Sequence, residues 1–147
     1  MWEKMKKRNG FTLPEIVVTL LLLALLFALA VPSLQQCWQQ VVLDVAIQQL
    51  HRDLRWAQQM AVREQKRVTV LFFLNEKPYY VVRYAGVENL RRRELPDRLQ
   101  KIEAETIVIA ADRTLGKNGH ILLQKGEIKR YVYYYRTGRT RVSKQAI

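Results

Sequence analysis

The chain has 147 residues and is 49% hydrophobic, which suits one domain with a modest core. Its formal net charge of +12, from 25 Lys and Arg against 13 Asp and Glu, bears on partners such as nucleic acid, anionic lipid or an acidic wall polymer, and not on fold. The single cysteine, Cys37, excludes an intrachain disulfide framework, and His51 and His120 have no second Cys or His at ligand spacing, so no metal or other cofactor is expected.

Met1 to Gly10 is short and basic, with Lys4, Lys6, Lys7 and Arg8 against Glu3. From Ile16 to Val31 every residue is apolar except Thr19, and the segment from Phe11 to Val31 has the length of a membrane-crossing helix. The positive-inside bias places Met1 in the cytoplasm and the chain after Pro32 outside. Three readings compete. A secretory signal peptide would use Ala28-Leu29-Ala30 as its small-x-small cleavage site. An uncleaved anchor would simply stay in the bilayer. Both leave Glu15 unexplained, a carboxylate at the start of a membrane span that costs a few kcal/mol to insert.

The third reading accounts for it. Gly10-Phe11-Thr12-Leu13-Pro14-Glu15, set between a basic leader and an apolar run, resembles the G-F-T-L-x-E signature of type IV prepilins. The resemblance implies that a prepilin peptidase cuts after Gly10 and N-methylates Phe11. Glycine leaves the scissile backbone unhindered, and Pro14 costs little within a first helical turn. Cleavage creates an amine one turn before Glu15. In a packed filament core that carboxylate would neutralise the amine of a neighbouring subunit, since a matched buried pair is tolerable where a lone charge is not. The alternative is a carboxylate snorkelling to the headgroups.

Beyond Pro32, Leu34, Trp38, Val41, Val45, Ile47, Leu50, Leu54, Ala57 and Ala61 recur at helical spacing, with Arg52, Arg55, Gln59 and Arg63 as the solvated side. One helix is predicted from about Phe11 to about Gln65, roughly 80 Å long, membrane-embedded to Val31 and amphipathic after it. The period then changes to two. Val68 to Leu74 reads as a largely buried strand and Tyr79 to Tyr84 as its hairpin partner. Gly86 to Lys101 reads as irregular, and Thr106 to Ala110 as a third strand. Ile121 to Gln124 and Ile128 to Tyr135 flank a Lys125-Gly126 hairpin signal, with a short last strand over Thr140 to Ser143. The predicted class is α+β: residues 1–10 a leader, 11–31 the transmembrane half of the helix, and 32–147 an exported head. There the helix packs on an antiparallel sheet split in two.

Asp53 to Val62, leading into the Val68 strand, resembles the helix-to-strand junction of GspH/FimT-type minor pseudopilins, and competence pseudopilins of the ComGD type are similar in size and layout. The chain lacks the cysteine-closed loop common in major pilins, which favours a minor subunit. No nucleophile–base pair, phosphate-cradling glycine loop or paired carboxylates suggest an enzyme.

After Glu127 there is no acidic residue, but there are Lys129, Arg130, Arg136, Arg139, Arg141 and Lys144, interleaved with Tyr131, Tyr133, Tyr134 and Tyr135. Guanidinium groups with aromatic neighbours suit phosphates and bases. Thr137-Gly138-Arg139-Thr140-Arg141 resembles the G-R-x-R element of DNA-binding FimT-type minor pilins. That resemblance makes Arg139 and Arg141 phosphate contacts, exposed by Gly138 and extended by Arg136 and Lys144. Arg91-Arg92-Arg93 adds to the patch or is a solvated loop. The competing reading is a solvated edge strand whose positive charge blocks aggregation. The expected function is a minor pseudopilin of a competence pilus, working with prepilin peptidase, other major and minor pilins, an assembly-platform membrane protein and DNA. It would be single-pass in the cell membrane and reach the surface in the pilus. A type II secretion pseudopilin and a membrane-tethered domain outside any filament are the alternatives.

Overall fold

The computed structural model describes residues 12–84 and 89–146. Helix α1 covers Leu13–Glu64 and contains Pro32 without ending at it. The chain forms two compact units, one up to Cys37 and one from Trp38 onward.

Among its described residues the first unit is helix from Leu13 onward. Its apolar side chains are exposed, and an 18-residue window of mean hydropathy 2.7 is wholly unburied, so this helix is long and apolar enough to cross a membrane. At its start, Thr12 acts as the N-cap. The backbone N–H groups of Glu15 and Ile16 donate to Thr12 O at 3.0 and 3.2 Å, and Thr12 N–H donates back to Glu15 Oε2 at 3.4 Å. This is the return half of a capping box.

In the second unit α1 presents Leu43, Ile47, Leu50, Leu54, Ala57 and Ala61, spaced alternately four and three apart, as one buried stripe. Two antiparallel sheets share that core. One has the order β3-β2-β1-β5, formed by Val68–Phe73 (β1), Tyr79–Tyr84 (β2), Asn89–Glu94 (β3) and Ile107–Ile109 (β5). The other has the order β4-β6-β7-β8, formed by Lys101–Glu103 (β4), Gly119–Lys125 (β6), Ile128–Tyr134 (β7) and Thr140–Ser143 (β8). Val68, Val70, Tyr80, Val82, Ile107 and Ile109 enter the core from the first sheet, and Ile121, Leu123, Val132 and Tyr134 from the second. The architecture is α+β, a helix packed on antiparallel sheet.

Three expectations change. Trp38, Val41 and Val45 are exposed and lie on the side of the helix opposite the core stripe, because steps of 100° per residue separate them from Leu43 and Ile47. The stretch expected to be irregular, Gly86 to Lys101, contains β3 and ends on the first residue of β4. β3 is an edge strand with one apolar residue, Leu90, so its pairing with β2 leaves no alternation to read. The outer end of β1 is exposed at Phe73, whose ring stacks on Tyr79 at 4.7 Å.

The arginine triplet on β3 is structural at two of its positions. Arg91 donates to the buried carboxylate of Asp53 at 2.6 Å and Arg93 lies 3.7 Å from it. Tyr80 Oη donates to the same carboxylate at 2.7 Å, and burial followed by this bond pushes the phenol pKa far up. Arg91 also covers the Trp56 ring at 4.1 Å, and Arg92 covers Tyr79 at 4.0 Å. A second tie joins the buried Arg130 to Asp44, whose carboxyl is held below its usual range by that hydrogen bond.

Candidate nucleic-acid interface

The G-R-x-R element sits in the tight turn between β7 and β8. Gly138 N–H donates to Tyr135 O at 2.8 Å and Tyr135 N–H to Arg139 O at 2.9 Å. Gly138 has φ +84, and a Cβ there would stand 2.7 Å from the Arg113 carbonyl oxygen. Glycine therefore does more here than free the loop: it lets the turn close against the segment between β5 and β6.

That segment is itself tightly made. Arg113 holds φ 70, an uncommon value for a side-chain-bearing residue. Ala110 and Thr114 bracket it by a backbone bond of 2.9 Å, and Asp112 Oδ1 accepts from Thr114 N–H at 2.9 Å and from Thr114 Oγ1 at 2.6 Å. Those two bonds hold the Asp112 carboxyl below its usual range. Asn118 Oδ1 accepts the Arg136 N–H at 2.6 Å, and Leu115 N–H donates to Arg136 O at 3.0 Å.

The helix grips the turn from the other side. Gln58, buried, donates through Nε2 to Gly138 O at 2.9 Å, and His51 Nε2 lies 2.9 Å from Thr140 Oγ1. Burial, and after it the charge of Arg55, lower the His51 pKa against the opposing hydrogen bond to Thr140, so the ring is neutral at pH 7.

These three segments surround an open groove of about 930 Å³. Arg55 from α1, Arg113 from the β5–β6 segment, and Arg139 and Arg141 from the turn and β8 line it, together with Asn118, Tyr135, Thr137 and Thr140. None of the four arginines has a carboxylate within ion-pair distance among the described residues. A cationic concavity with an exposed ring can hold a chain of anionic groups.

Of the residues expected in this patch, Gly138, Arg139 and Arg141 come together. Arg136 is anchored through its backbone and does not line the groove, and Lys144 borders a separate depression with Lys129 and Arg130. Of the tyrosines only Tyr135 reaches the groove: Tyr134 is buried, and Tyr131 stacks on Tyr133 at 5.8 Å on the face of the second sheet. Arg55 and Arg113 are additions that sequence reading missed. Gly10 and Phe11, the expected cleavage and methylation positions, lie outside the described residues. Among the described residues no group of three or more His, Cys, Asp or Glu could hold a metal ion.

Known proteins meet this chain at two levels. The family described as the prokaryotic N-terminal methylation motif matches residues 5–31, which include Gly10, Phe11 and Glu15. The fold matches a crystal structure of the type IV minor pilin FimU of Pseudomonas aeruginosa PAO1 with a TM-score of 0.56 at 17% identity, covering 68% of this chain and 91% of that one. The chain thus carries an N-terminal methylation motif and shares its fold with FimU. A second crystal form of FimU matches this chain with a TM-score of 0.57 at 16% identity, covering 71% and 90% of the two chains. No curated protein matches this chain in sequence.

Proposed function

We propose that this chain is a minor pseudopilin of a DNA-uptake (competence) pilus, and that its arginine groove touches incoming DNA. In this reading a prepilin peptidase cuts after Gly10 and N-methylates Phe11. The helix anchors the subunit in the membrane with its leader in the cytoplasm and its head outside, until an assembly platform passes it into a filament of major and minor pilins. Glu15 matches the new amine of a neighbouring subunit during that step. The role is structural and binding, with no catalysis.

The observation that carries the DNA contact is the groove. Arg139 and Arg141 line the same concavity with no carboxylate partner among the described residues, whereas Arg91 and Arg93 share the Asp53 carboxylate and Arg130 pairs with Asp44. An unneutralised pair of guanidinium groups beside an exposed tyrosine suits a phosphodiester backbone, whose counterions are released on contact. The absence of a second cysteine supports the minor-subunit reading.

The test is the affinity of the full-length protein in detergent for duplex DNA across a salt series. Arg139→Ala with Arg141→Ala is expected to weaken binding and to reduce the slope of log K against log salt by about two, near 0.9 per lost phosphate contact. An unchanged slope would leave the type II secretion reading, with exported protein as the partner, in its place.

A further inference from the structure

We infer that Arg55 and Arg113 are phosphate contacts of the same site, making it a four-arginine clamp shared by the helix, the β5–β6 segment and β8. This rests on the DNA reading and extends it to residues outside the G-R-x-R element.

Position comes first. His51, Arg55 and Gln58 stand at i, i+4 and i+7, one face of α1. The two outer members are hydrogen-bonded to the turn, His51 at Thr140 Oγ1 and Gln58 at Gly138 O. Arg55 therefore stands between the two clasps that fix the turn bearing Arg139 and Arg141, and it lines the same groove. Arg113 is held from the opposite wall. Its carbonyl oxygen is so close to Gly138 that a side chain at 138 could not fit. Its own backbone is kept at φ 70 by the Asp112–Thr114 turn, an unfavourable conformation maintained at a residue that lines the groove.

Charge comes second. Elsewhere Arg91 and Arg93 share the Asp53 carboxylate and Arg130 pairs with Asp44. The four groove arginines have no such partner among the described residues, and they share one concavity of about 930 Å³. Such an arrangement is relieved by an anion. A single phosphate or carboxylate would satisfy one or two guanidinium groups, whereas cations carried on three separate elements suit charges repeated along a chain. The phosphodiester backbone of DNA has that form.

The experiment uses the processed full-length protein in detergent and a fluorescent duplex of about 30 base pairs, over roughly 50 to 200 mM salt. Arg55→Ala and Arg113→Asn, the latter chosen because asparagine tolerates positive φ, are each expected to reduce the salt slope by about one, as Arg139→Ala does. Arg55→Lys is expected to retain the slope. Arg67→Ala, at an exposed residue outside the groove, serves as the control for loss of net charge and is expected to leave the slope at wild type. A wild-type slope in Arg55→Ala and Arg113→Asn, with a reduced one in Arg139→Ala, would overturn the clamp and leave the DNA reading standing. A wild-type slope in all of them would remove the DNA reading itself. An equal loss in Arg67→Ala would reduce the effect to bulk charge and overturn the clamp.

Discussion

His51 shows how one side chain can serve both the fold and the site. Its ring is half-buried, bonded to Thr140 and repelled in its charged form by Arg55. Its folded pKa therefore lies below the unfolded value near 6.5, so the unfolded chain takes up the proton first as pH falls. Stability from this group is full above about pH 7 and is lost as pH falls through 6.5 toward the lower folded value. Melting temperature measured between roughly pH 7.5 and 5 should fall with acidification, and His51→Gln should flatten that dependence. Neither partner was legible from sequence, because Thr140 and Arg55 carry no local signal that marks them as neighbours of a histidine. Arg55 read as part of a solvated stripe, and nothing in the sequence singled out Arg113, whose positive φ no sequence pattern records. Gly138, Arg139 and Arg141 were legible because a short motif holds them together in the chain.

At the scale of elements, the helix and the sheets are joined by a stripe and a buried charge. The stripe from Ile47 to Ala61 was readable from its spacing, though Leu43 at its start was not, and β1, β2 and the β6–β7 hairpin, which closes through Gly126 at φ +61, were readable too. The outward residues Trp38, Val41 and Val45 were not separable from that stripe, since both share helical periodicity and only their phase differs. β3 was invisible because arginines replace its apolar alternation. Its function is to bring Arg91 and Arg93 to Asp53, where Tyr80 also donates. Removing that carboxylate would leave a buried phenol and a partly buried guanidinium without their acceptor. Asp53→Ala is expected to cost about 3 to 5 kcal/mol in chemical denaturation, and Tyr80→Phe only about 1 to 2. A cost below about 1 kcal/mol in Asp53→Ala would mean that the tie is incidental.

For the molecule as a whole, the N-terminal segment and the head impose separate demands. The apolar helix up to Cys37 buries nothing by itself and carries one carboxylate, Glu15, which closes a capping bond to Thr12. That bond was overlooked in the sequence, although Thr12 and Glu15 stand at capping-box spacing. It gives Glu15 a role within its own chain before any neighbour is present. The role proposed for it toward a neighbour depends on an amine that only the proposed cleavage after Gly10 would create. Determining the N-terminus of the protein recovered from membranes tests that dependence most directly. The expected product begins at Phe11 and bears one added methyl group on its amine. A mature chain beginning at Met1, or at Val31 as a signal-peptide cut would leave it, would contradict the processing on which assembly is argued here.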